Sequence, residues 1–148
     1  MSSVKDIQKL RKETGYGVME CKKVLADAKG DFSEARNLLS KKGAIKAQKR
    51  ADKETEQGVV ECYLHGNKIG AMIVLGCETD FVARNEQFKT LAHDIAMQIA
   101  SMNPKNVKEL LAQTFIKDQD MTIGKLIENN IGKIGENIQV IDFKRMSL

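Results

Sequence analysis

A chain of 148 residues with 42% hydrophobic and 30% charged side chains has the balance of a folded domain and excludes a disordered one. Its net charge of +4 permits an acidic or nucleic-acid partner without requiring either. The three cysteines, Cys21, Cys62 and Cys77, are odd in number and form no C-x-x-C pair, which argues against a disulfide scaffold or a zinc site and makes a reducing cytosol the expected setting.

Helical spacing opens the chain. Val4, Ile7 and Leu10 form one apolar stripe, Cys21, Val24, Leu25 and Ala28 a second, and Phe32, Ala35, Leu38 and Leu39 a third. "TGYG" and "KGD" break the pattern between them. Asp31 with Glu34 resembles a capping box, and Gly43 offers a C-terminal stop. The first stretch, "MSSVKDIQKLRKE", is charged and has no apolar h-region, so no secretory signal is expected. A small three-helix bundle over 1–43 follows. The nearly all-polar "AIKAQKRADKETE" reads as an exposed helical linker over 44–56.

The period then changes. "GVVECYLH" alternates, with Val60, Cys62 and Leu64 on one face, and "HGN" supplies a turn. "KIGAMIVLGC" is apolar on both faces, as a central strand is. Its core, 69–77, is the longest nearly apolar run and is far too short to span a bilayer, so a cytoplasmic protein with no membrane attachment is expected. Phe88, Leu91, Ala92, Ile95, Ile99 and Met102 form the next stripe, with Asn85 as N-cap. Pro104 ends that helix and could take the N1 position of another over 105–113. A polar loop, "KDQD", precedes a helix carrying Ile123, Leu126, Ile127, Ile131 and Ile134. "NIQVIDF" can add a third strand to the hairpin. The expected class is α+β: a three-helix bundle, then a small antiparallel sheet packed with helices over 57–148.

Catalytic patterns are missing. There is no G-x-x-x-x-G-K-[ST], and no G-x-G-x-x-G with its acidic partner. His65 and His93 have no second ligand at i+3 or i+4, and His93-Asp94 reads as a solvated surface pair. No enzyme, cofactor or metal is expected. Lys41, Lys42, Lys46, Lys49, Arg50 and Lys53 make a basic stripe, but acidic residues follow at once and no aromatic is interleaved. A solvated face is therefore preferred to a nucleic-acid site. An RNA- or ribosome-binding module is the alternative function. Val18 and Met19 sit on a glycine-flanked tip, and spacing leaves open whether they cap the bundle or dock a partner. Phe81 stands in the turn "CETDFVARNEQF", and spacing alone favours its burial below Leu75 and Phe88.

Four blocks in order, "LRKETGYGVMECKKVLADAKGDFSEA", "CETDFVARNEQF", "AMQIASMNP" and "KIGENIQV", resemble the bacterial translation elongation factor Ts family. The resemblance implies a guanine-nucleotide exchange factor for elongation factor Tu, which itself binds no nucleotide. It implies that Thr79, Asp80, Phe81 and Val82 form a wedge that disturbs the magnesium and phosphate site of Tu-GDP, with the Phe81 ring exposed. It also implies a bundle of ubiquitin-associated type docking through Val18 and Met19, with further contacts near His65, Ile134 and Gly135. Short members of the family rebuild a missing half by dimerising, so a homodimer through the sheet edge near 138–143 is expected.

Overall fold

The computed structural model describes residues 2–148. The bundle consists of α1 (Val4–Thr14), α2 (Val18–Asp27) and α3 (Phe32–Arg50). Ser3 caps α1 with a complete capping box: its hydroxyl accepts from the Asp6 amide, and the Asp6 carboxylate accepts from the Ser3 amide. Gly15, at φ 75°, closes that helix in the left-handed conformation that suits glycine. Asp31 accepts from the Glu34 amide to start α3. Leu10, Tyr16, Cys21, Val24, Leu25, Ala35 and Leu39 fill the bundle core.

Gly43 is no stop. α3 runs through it to Arg50, because Gly43 is where α3 crosses a later helix, α7 (Ile123–Ile134). A Cβ on Gly43 would lie 2.9 Å from the Tyr16 hydroxyl and 3.2 Å from the Glu128 carbonyl. A Cβ on the facing Gly132 would lie 2.5 Å from that hydroxyl and 2.6 Å from the Gly43 Cα. The glycines serve close backbone approach rather than termination. Tyr16 donates across the crossing to the carbonyls of Leu39 and Asn129, at 3.3 and 3.4 Å. Ala47 packs against the second core. Residues 44–50 of the expected exposed linker continue α3; the side carrying Ala47 is packed, whereas Ile45, Gln48 and Lys49 are exposed.

The sheet has the order β1-β2-β5, with β1 (Gln57–His65), β2 (Ile69–Cys77) and β5 (Ile138–Ser147) all antiparallel. The register slips between Val74 and Leu75, where Ile141 stands unpaired in β5. One face, carrying Ala71, Ile73, Leu75, Cys77 and Ile138, is buried together with Phe88, Leu91, Ala92, Ile95 and Ile99 of α5 (Glu86–Met102). Asn85 caps α5 by accepting from the Gln87 amide.

Val59 and Tyr63 face that core, whereas Val60, Cys62 and Leu64 lie on the opposite, exposed face. The central strand is apolar on both sides, so its sequence does not choose a face. The packing of α5 on Ile73 and Leu75 does, and the phase of β1 follows from its register with them. Met102, expected in the core, is half exposed because α5 ends there, at Asn103 with φ 47°.

α6 (Val107–Ala112) starts from Asn106, so Pro104 is not its first residue. The expected polar loop holds a small hairpin, β3 (Thr114–Phe115) and β4 (Asp118–Thr122). It is built on the buried Gln98 of α5, which donates to the Thr114 carbonyl and accepts from the Ile116 amide, each at 2.9 Å. Thr122 caps α7, and Gly135 ends it at φ 85°. The class is α+β, as expected.

Candidate functional site

The chain leaves the sheet at Cys77, passes Glu78 and Thr79, and forms the single turn α4 (Asp80–Ala83). Thr79 caps this turn, accepting from the Val82 amide at 3.4 Å. Ala83 is buried and Val82 half-buried, so these two residues seat the turn on the core. Asp80 and Phe81 are left on the outside. The Phe81 ring is 81% exposed, which reverses the preference drawn from spacing. The space beneath is already filled by Leu75 and Phe88, each fully buried. Asp80 pairs with Arg84 at 2.9 Å, in the open.

The foot of this turn is held from several sides. The Cys77 thiol donates to the Thr79 carbonyl at 3.2 Å, and burial pushes that thiol up to about 11. Arg50, at the end of α3, makes a two-pronged bond to Glu78 at 2.7 and 2.5 Å. That guanidinium, more than any other group, holds the Glu78 carboxyl below the usual range. Glu78 also accepts from the Asn137 amide at 2.7 Å, and the Asn137 side chain donates to the Lys53 carbonyl. The turn after α7 therefore lies against the foot of α4. Gly135 is exposed there, and Ile134 packs partly against the core.

A second exposed tip opens α2. Val18 is 46% and Met19 72% exposed. The N-cap, Gly17, offers no side chain. Behind them Glu20 accepts from Lys46 at 2.8 Å, and the same ammonium donates to the Gly132 carbonyl at 2.9 Å. Lys46 and Arg50 are thus engaged within the protein, which removes two cations from the stripe read as a possible nucleic-acid site.

His65 is exposed at the opposite end of the hairpin, paired with Ile69, whereas Gln57 pairs with Cys77 beside the turn. At about 3.4 Å per residue, it stands ~27 Å along the sheet from the turn, so it does not join the Phe81 site. Its Nδ1 lies 3.0 Å from the Tyr63 hydroxyl, and His93 meets the Tyr63 ring edge-on. Asp94 is not free in solvent: it is mostly buried and pairs with Lys117 at 3.1 Å. Spacing does not assign to the site Arg50, Glu78 or Glu136, whose carboxylate accepts from the Glu78 and Thr79 amides. Their partners are distant in sequence, and only the block "KIGENIQV" hinted at the last. Among the described residues, no cluster of histidine, cysteine or carboxylates could hold a metal ion, and no helix is long and apolar enough to cross a membrane.

Residues 78–148 match the family model described as elongation factor TS. Over 186 aligned positions the chain is 38% identical to an elongation factor Ts of Thermodesulfovibrio yellowstonii, covering 96% of this chain and 94% of that one. Over 192 positions it is 40% identical to one of Fervidobacterium nodosum, covering 99% and 98%. Both alignments exceed the 148 residues available, so these relatives carry segments that this chain lacks. An elongation factor Ts of Nostoc sp. is 43% identical over 147 positions, which take in 99% of this chain but only 46% of the relative.

Proposed function

Because the chain belongs to the elongation factor Ts family of translation elongation, we propose that it is a guanine-nucleotide exchange factor for elongation factor Tu. It engages Tu-GDP, inserts the Asp80-Phe81 turn, disturbs the magnesium and phosphate site, and so releases GDP for GTP to follow. The observation that carries this reading is Phe81 itself: a large apolar ring 81% exposed on a capped turn. An apolar ring held in water on a braced support has more to gain from a partner's cleft than from its own core.

The energetics follow from linkage. A factor that prefers empty Tu to Tu-GDP weakens GDP by the same ratio. Seating a phenylalanine in an apolar cleft is worth about 1.5–3 kcal/mol, and each 1.4 kcal/mol is about tenfold. Where that burial occurs only in the GDP-weakened state, Phe81 accounts for roughly one to two decades of GDP weakening. Thr79 and Val82 hold the wedge in shape, and Asp80 presents a charge beside it. Val18 and Met19 dock on a second patch of Tu and raise the effective concentration of the wedge. His65, far along the hairpin, serves a separate contact, and Ile134 and Gly135 flank the wedge. The division is an N-terminal docking unit and a sheet-containing core.

The core pairs with a second copy. Val60, Leu64, Met72, Ile141 and Met146, 48–78% exposed, share the outer side of the sheet. This apolar face, bordered by the 138–143 edge first expected to carry the contact, suits an isologous interface. Sedimentation of wild type against Leu64→Asp/Met72→Asp reads it: dimer for the first, monomer for the second, while a monomeric wild type removes the pairing. For exchange, release of labelled GDP from Tu in stopped flow is the test. Phe81→Ala should slow stimulated release by about tenfold to a hundredfold, and an unchanged rate would refute the wedge.

A further inference from the structure

We infer that Glu136 is the positioning residue that aims the Phe81 ring, an inference that rests on the wedge reading above. Gly135, at φ 85°, reverses the chain after α7 and turns Glu136 toward the foot of α4. Its carboxylate then takes three donors. One oxygen accepts from the amides of Glu78 and Thr79, at 3.1 and 3.0 Å. The other accepts from the Thr79 hydroxyl at 2.7 Å. Both amides lie just past the last sheet pair, Cys77 with Ile138, where the ladder supplies no partner.

The consequence passes through Thr79. Its hydroxyl donates a hydrogen bond to Glu136, which fixes the rotamer, and the same oxygen accepts from the Val82 amide. That bond caps α4, a helix of four residues. So short a helix has no stability of its own and exists only because its ends are tied. The Phe81 ring, mostly in solvent, has little packing to set its direction. Its bearing is therefore that of the Thr79 frame, and Glu136 sets that frame. Arg50 neutralises the neighbouring Glu78, which lets two carboxylates share this corner. Glu136 acts through Thr79, without itself entering the partner's cleft.

The test combines a double-mutant cycle with amide exchange on the full chain. Glu136→Ala loses all three acceptor bonds and should lower the plateau rate of Tu-GDP release about tenfold. Glu136→Gln keeps an acceptor for both amides but sets an NH2 donor against the Thr79 hydroxyl in place of its acceptor, and should lower the plateau by about threefold. Glu136→Asp, which keeps the charge but draws the carboxylate back by one methylene, should fall between them. In the Phe81→Ala background, Glu136→Ala should cost nothing more, because the ring it aims is gone. A wild-type plateau for Glu136→Ala, or an undiminished loss in the Phe81→Ala background, would overturn the inference. If Phe81→Ala alone keeps the wild-type plateau, the wedge reading itself fails. The positioning claim is then read in the isolated protein. There the Glu78 and Thr79 amides should exchange about tenfold faster in Glu136→Ala, and unchanged exchange overturns it.

Discussion

The α4 turn and the tip of α2 look alike from outside and differ beneath. Each opens a helix, and each exposes apolar side chains: Phe81 on one, Val18 and Met19 on the other. The α4 turn is capped by Thr79 and tied to Cys77, Glu136 and, through Glu78, to Arg50. The α2 tip starts at Gly17 with no side-chain cap and carries an unbranched methionine that can reshape to its surroundings. On the proposed function the α4 turn is a lever, which must transmit force along a defined direction, and bracing suits that role. On the same proposal the α2 tip is an anchor, and an adaptable surface suits docking. Both are fastened to one rod: Lys46 of α3 binds Glu20 behind the tip, and Arg50 of the same helix binds Glu78 under the lever.

That comparison breaks first if the rod is disturbed. Gly132→Val places methyl groups where the Tyr16 hydroxyl and the Gly43 backbone already stand. It should destabilise the protein by about 2–3 kcal/mol in urea denaturation, as overpacked sites do. The tip is expected to give a smaller and different effect. Val18→Ala/Met19→Ala should raise the half-saturating concentration for GDP release about fivefold to tenfold while leaving the plateau unchanged. Tyr16→Phe withdraws the proton from the Leu39 and Asn129 carbonyls and should cost about 1 kcal/mol in the same denaturation assay.

A further effect is confined to alkaline pH. The Cys77 thiol is raised from 9.0 to about 11 in the folded chain, chiefly by burial. Across that window the unfolded chain releases the proton and the folded chain keeps it. The contribution of Cys77 is therefore whole below pH 9.0 and is lost as pH rises toward about 11. Cys77→Ser, which keeps a donor for the Thr79 carbonyl, should flatten this arm of a stability–pH curve.

Much of the framework was legible because it is local. Apolar stripes at helical spacing located the bundle helices, α5 and α7, and Asn85 marked where α5 begins. What failed depends on partners far along the chain. Gly43 reads as a stop until Gly132 is seen against it. The phase of β1 is invisible in "GVVECYLH", because both alternating sets carry apolar residues and α5 makes the choice. The β3–β4 hairpin needs Gln98, and a polar segment gives no sign of it. For the site, spacing pointed Phe81 inward. Only the resemblance carried by "CETDFVARNEQF" set it outside, and the bracing by Glu136, Glu78 and Arg50 lay in three separate stretches.

The most direct measurement is a titration of Tu-GDP with this protein, resolving the plateau rate of GDP release from its midpoint for wild type and Phe81→Ala. A braced lever predicts that Phe81→Ala lowers the plateau by about one to two decades. A wild-type plateau reached at higher protein concentration would contradict it, since Phe81 would then be a second anchor and not the lever.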